Sequence, residues 1–244
     1  MTENVKFIVA HDTGNPGSTA ANNVSYYENS RDKESASAHL FVDDKDILEC
    51  IPALTDTPEK AWHVLYKVQT DDQLFGCNAN DAAIGVEYCF GGKIDANEAY
   101  RKYVWVLAWL CYVYKLEPAR AVVGHFLLDP ARKTDPKTGL AQSGRSYEQL
   151  LHDVITEYLQ CSGIAAPEYL LKQQSGTVKV TSKLNIRKNV PTRLGAVVQT
   201  VPAGTVLSYQ SVVTDGEEVN GNSVWYQTQE GYYFWSGATV AIEK

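Results

Sequence analysis

The side chains able to do chemistry gather in three segments. Residues 122–135 read VVGHFLLDPARKTD, so nine residues separate His125 from Asp135, and Lys133 lies two positions before that Asp. Pro130 and Pro136 bar a continuous helix through this stretch. A strand end running into an irregular loop is expected, one that can bring His125 and Asp135 to a single metal ion. His11 closes the short apolar run KFIVA (Lys6 to Ala10). Two imidazoles and a carboxylate form a catalytic zinc set that leaves a fourth position for water. Zinc in such a set moves the pKa of water toward neutrality and polarises a carbonyl. That chemistry calls for a carboxylate base. Glu87 is the candidate, because an isolated acid in the apolar run Ala83 to Phe90 is costly to bury without a purpose or a partner. Lys133 is placed to stabilise an oxyanion. Taken singly, each residue has an ordinary alternative: a hydrogen-bonded surface histidine, a salt bridge at a sheet end, a turn aspartate before proline, a solvated lysine.

The elements that must position these groups follow from pattern. Lys6 to Ala10, His39 to Asp43 and Ile47 to Ile51 read as strands, the last two joined by a tight turn at Asp44-Lys45-Asp46. Ala83 to Phe90 suits a central strand covered on both faces. Thr19 to Glu28 reads as a helix. Asn97 to Tyr114 is the clearest helix, with Asn97 as its expected cap and apolar residues at helical spacing. Ser146 to Gln160 follows, opened by the capping pattern S-x-x-Q. This alternation predicts an α/β domain over residues 1–160 with a mixed central sheet flanked by helices. Residues 161–175 read as a linker. From 176 to 244 no helical period appears; short β-rich runs at 177–181, 197–201, 206–213, 224–228 and 232–235 alternate with turn signals, which suits a small all-β barrel.

Bulk properties narrow the function classes. The 244 residues are 44% hydrophobic and 21% charged, with a net charge of -7, a globular balance that lacks the basic surface of a nucleic-acid binder. No apolar run reaches membrane-spanning length. No basic n-region and apolar h-region follow Met1, so a chain made in the cytoplasm without a secretory signal is expected. Five widely spaced cysteines without a CxxC pair read as free thiols, not as a zinc cluster.

As a set, and in order along the chain, FIVAHDTG, SAHLFVDDKDILECIP, AWHV, AAIGVEY and VVGHFLLDPARKTDP resemble the zinc-dependent N-acetylmuramoyl-L-alanine amidases, the family that includes the peptidoglycan recognition proteins. The resemblance covers roughly residues 5–160. It implies that His11, His125 and Asp135 bind Zn2+, that Glu87 is the general base and that Lys133 assists the transition state. The substrate it implies is peptidoglycan or its soluble muropeptide fragments, cut between N-acetylmuramic acid and L-alanine. Some members carry a Tyr just before the hairpin His, where this chain has Ala38; others use Cys as the third ligand, where it has Asp135. Trp62 and His63 are expected to line the cleft and contact substrate, and His39 to be a structural histidine.

Residues 184–192 (LNIRKNVPT), VPAGT (201–205), the Val224-Trp225-Tyr226 strand and EGYYFW (230–235) resemble bacterial SH3-like domains, which implies a wall-binding module. Two competing readings remain at this point. One is a peptidoglycan binder without catalysis, of the kind that loses a zinc ligand. The other is a Cys-His wall peptidase, in which Cys89 would have to be the nucleophile.

Overall fold

A short strand, a loop and then a helix capped by a side chain occur in that order over residues 7–30 and again over residues 83–113. A computed structural model describes residues 1, 4–33, 36–162, 169–188, 190–193 and 197–242. The chain divides into two units, 1–162 and 163–244.

In the first unit β1 (Phe7–Asp12) leads through a Gly/Pro loop to α1 (Ala20–Ser30). Thr19 caps α1 by accepting from the Asn22 N–H. The hairpin β2 (Leu40–Val42) and β3 (Ile47–Glu49) turns where expected: Asp43 accepts from the backbone of Lys45 and Asp46, both at 2.7 Å, and its second oxygen takes the Ala20 N–H. Two short helices, α2 (Thr70–Phe75) and α3 (Ala79–Ala82), precede β4 (Ala83–Tyr88). The long helix α4 (Ala96–Val113) starts one residue earlier than expected. Its cap is Asp95, which accepts from the N–H groups of Asn97 and Glu98; Asn97 instead holds Arg145. Then come α5 (Pro118–Ala121), β5 (Val122–Gly124), α6 (His125–Leu128), α7 (Lys137–Gln142) and α8 (Tyr147–Ser162). Ser146 caps α8 through the Gln149 N–H, while the Gln149 side chain turns to Asp153, so half of the capping box forms.

The five strands make a mixed sheet in the order β3-β2-β4-β1-β5. All neighbours are parallel except the β2–β3 hairpin. One face carries Ile8, Ala10, Ile84, Val86 and Tyr88 and packs on the apolar stripes of α4 and α8. Leu107, Leu110, Leu150 and Val154 are fully buried there, each worth roughly 1.5–3 kcal/mol of burial. The other face carries a second, smaller apolar cluster. Phe7 and Val9 lie beside Ala83 and Gly85 on one side and Val123 on the other, under the cover of Cys77, Ala79 and Ala82. Side chains alternate along a strand, so the next residues on this second face are His11, Glu87 and His125.

The second unit is all β. Strands β6 (Leu171–Val180), β7 (Leu184–Arg187), β8 (Val197–Val201), β9 (Val206–Val213), β10 (Trp225–Gln227), β11 (Tyr233–Trp235) and β12 (Thr239–Ala241) form one antiparallel sheet in the order β12-β6-β9-β10-β11-β7-β8. The stretch 161–175, expected as a linker, is shortened from both ends: α8 runs to Ser162 and β6 begins at Leu171. Residues 163–168 lie outside the described residues. Strand β6 reaches this far because its first residues pair with the far end of β9, past an irregularity between Gln173 and Gly176. Trp225 and Phe234 are buried, and the Trp225 indole donates to the Glu217 carbonyl.

Candidate metal centre and cleft

Parallel strands end together, and their carboxyl ends are where open α/β sheets place ligands. His11 and Glu87 are in register across β1 and β4, so both side chains rise from the same face. Ala10 pairs with Gly124, which sets His125, the next residue, beside His11. The strand at residue 7 thus extends through His11 to Asp12, two residues beyond the apolar run that announced it. Asp135 arrives from the loop after α6. The Phe126 N–H donates to the Asp135 carbonyl and the Lys133 N–H to the Asp129 carbonyl, which folds the proline-bounded segment back on itself.

The result is a tight cluster. Candidate ligand atoms of His11, His125 and Asp135 lie within 4.8 Å of one another. Nδ1 of His11 is 2.9 Å and Nδ1 of His125 is 3.0 Å from the same carboxylate oxygen, Asp135 Oδ2. All three residues are buried. Burial pushes the Asp135 carboxyl up, but the hydrogen bonds from the two histidines outweigh it and hold it far below the usual carboxylate range. Burial lowers His11 to about 4, against the pull of Asp135. A neutral imidazole beside a carboxylate is the state in which both ligate a cation.

Glu87 stands apart from this cluster. Its Oε2 is buried with no hydrogen-bond partner. Burial, then the charges of Asp135 and Asp12, push its carboxyl well above the ordinary glutamate range. A carboxyl raised by burial and like charge, in a cleft, is suited to proton transfer near neutral pH.

The cleft has a volume of about 410 Å³, and its walls include His11, Glu87, Lys133, Asp135, Trp62 and His63. Six of the seven residues picked out from the sequence therefore meet at one opening; His125 is 2% exposed and lies outside the lining set. Trp62 is half exposed. Its backbone N–H donates to Ser37 Oγ, and Lys60 Nζ lies 4.2 Å from its ring centre. His39 is structural: its Nδ1 accepts from the Gly85 N–H and its Nε2 bonds the Glu59 carbonyl.

Sequence reasoning missed the supports. Asp12 accepts from the N–H groups of Gly14 and Gly139, clamping the loop after β1 to α7. The Tyr103 hydroxyl donates to the His11 carbonyl. Asn80 accepts from the N–H groups of both His63 and Val64. Each is a polar group buried against a distant backbone, and no local pattern signals such a pairing. Cys89 is buried, and burial pushes its thiol up to about 12; a thiolate nucleophile needs the opposite shift. None of the five cysteines forms a disulfide; Cys77, Cys89 and Cys111 are buried and Cys161 is exposed. Among the described residues no helix is long and apolar enough to cross a membrane.

Comparison with known proteins identifies the family. The family model Amidase_2, described as N-acetylmuramoyl-L-alanine amidase, matches residues 1–138. A probable N-acetylmuramoyl-L-alanine amidase of Bacillus licheniformis is 34% identical over 145 residues, covering 58% of this chain and 39% of that protein. The N-acetylmuramoyl-L-alanine amidase CwlA of Bacillus subtilis is 39% identical over 85 residues, 35% of this chain and 26% of its own length. The chain thus spans well under half of these relatives. Among solved structures, the Staphylococcus aureus hydrolase AmiA in complex with its ligand is similar at 27% identity and a TM-score of 0.54, covering 67% of this chain and 78% of that one.

Proposed function

Since the chain belongs to the N-acetylmuramoyl-L-alanine amidase family, we propose that its first unit is a zinc amidase that hydrolyses the bond between N-acetylmuramic acid and L-alanine in peptidoglycan or its fragments. The observation that carries this reading is the approach of His11 Nδ1 and His125 Nδ1 to Asp135 Oδ2 beside Glu87, whose Oε2 is buried with no hydrogen-bond partner. Two imidazoles and a carboxylate suit zinc in donor type. When bound, zinc supplies Lewis acidity and brings water to its reactive form near neutral pH.

The rest is the work of the chain. His11, His125 and Asp135 hold the metal. Glu87, raised by burial and by the neighbouring acids, takes a proton from the attacking water and returns it to the leaving amine of L-alanine. Lys133, in the cleft wall with no side-chain ion pair among the described residues, stabilises negative charge on the substrate carbonyl oxygen. Trp62 offers an apolar wall for the glycopeptide. The binder reading is disfavoured by the presence of all three donors and of Glu87. For the second unit, residues 163–244, we propose an SH3-like wall-binding role, on its all-β sheet and its sequence resemblance; such a tether raises the local concentration of the first unit on a polymer.

Purified protein is expected to contain about one zinc per chain and to release L-alanine N-termini from muramyl peptides, with a chelator abolishing and zinc restoring the activity. Glu87→Gln is expected to keep the metal and lose ~10²–10⁴-fold in turnover. Full activity in a metal-free sample, or in Glu87→Gln, would reject the mechanism.

A further inference from the structure

His63 was expected to face substrate, but the ring is turned toward the metal ligands. Its Nδ1 lies 3.0 Å from His11 Nε2, the ring nitrogen of His11 opposite the one on Asp135. The two rings stand nearly perpendicular, at 86° with centroids 5.2 Å apart. The arrangement is held from three sides. Asn80, fully buried, accepts from the backbone of His63 and Val64 and donates to the Val64 carbonyl. Gly85 of β4 forms the floor: a Cβ there would lie 2.8 Å from His63 Cγ and Nδ1. His39 packs edge-on at 5.6 Å. On the far side, His63 Nε2 is buried without a hydrogen-bond partner.

The proton count follows from the chemistry of imidazole. A neutral ring has one N–H and one lone pair. If His11 Nδ1–H donates to Asp135, His11 Nε2 accepts from His63 Nδ1–H. To offer Nδ1 to a metal, His11 must carry its proton on Nε2, and the partner in place for that N–H is His63 Nδ1. Building on the zinc reading above, we propose that His63 is the outer partner of the metal ligand His11, holding it in the tautomer and orientation that present Nδ1 to the ion. His63 is thus a positioning residue.

The test is zinc affinity of the full chain, measured by chelator competition and compared with KM on a muramyl peptide. Outer partners of ligating histidines are typically worth ~10–100-fold in metal affinity. His63→Leu, which removes the acceptor, is expected to lose that much. His63→Gln, whose side-chain carbonyl can accept the same N–H, is expected to recover most of it. Gly85→Ala keeps His63 but displaces its ring, and is expected to weaken zinc as His63→Leu does. Circular dichroism in chelator checks folding; if His63→Leu does not fold, the other two variants carry the comparison. His63→Leu binding zinc like the natural chain, with KM raised, overturns the proposal and makes His63 a substrate contact. His63→Gln as weak as Gly85→Ala overturns it as well, because ring packing alone then explains the loss. A natural chain that binds no zinc removes the metal reading and this one together, whereas tight natural binding with unaffected variants removes this one alone.

Discussion

The imidazole of His39 bridges two main-chain groups, the Gly85 N–H and the Glu59 carbonyl, and it can do so only when neutral. Burial lowers its pKa from 6.5 to about 4. The sign of the consequence is set by which state takes the proton first. As pH falls below 6.5 the unfolded chain is protonated while the folded one resists, so stability present above pH 6.5 is lost toward pH 4. His11 and His63 add to the same slope, since both are lowered by burial. In chelator, the unfolding midpoint of the natural chain is expected to fall between pH 6.5 and 4. His39→Gln is expected to be less stable at pH 7 by ~1–3 kcal/mol, from the disturbed backbone pairing, and to show a shallower fall. An unchanged slope in the variant would mean that His39 does not contribute to it. Glu87 works in the opposite sense. Its raised pKa means that ionising it opposes folding as pH rises, so this site is held at a cost in stability, as is common where a residue serves chemistry.

At the scale of elements, the long helices were legible because three or more turns repeat an apolar period, and their caps are side chains of standard type. The cap of α4 was misplaced by two residues because Asp95 and Asn97 are both good cap residues and only the backbone geometry chooses between them. Asp95→Ala is expected to cost ~1 kcal/mol, which for a unit of this size is ~2–4 °C in thermal midpoint. Asn97→Ala should cost less, and the reverse order in melting experiments would reassign the cap. The short helices α2, α3, α5, α6 and α7 have four to six residues each. That is too few to show a period or to be stable alone; packing creates them. Strand β7 and strand β12 escaped notice for the same reason. The aromatic run near residue 233 could have filled a core or faced sugar. Tyr233 and Phe234 are buried and Trp235 and Tyr232 are half-buried, so packing accounts for most of it.

For the whole molecule, the two units divide the work in the proposed reading: one cuts, the other holds the polymer. Removing residues 163–244 is expected to lower activity on intact walls more than on soluble muropeptides, measured side by side. Equal losses on both substrates would show that the second unit supports the first rather than tethering it. The sequence by itself determined the α/β class of the first unit, the long helices and the family, and it named seven candidate site residues. It could do so because periodicity, caps and the order of the motifs are local properties. It left open how those residues meet. Only the tertiary structure put His11 in register with Glu87, set His125 at the neighbouring strand end, turned His63 inward onto His11 and gave His39 its two backbone partners. Those are contacts between residues 20 or more positions apart, decided by which strands pair and which face each residue takes, and a single chain read in order carries no record of either.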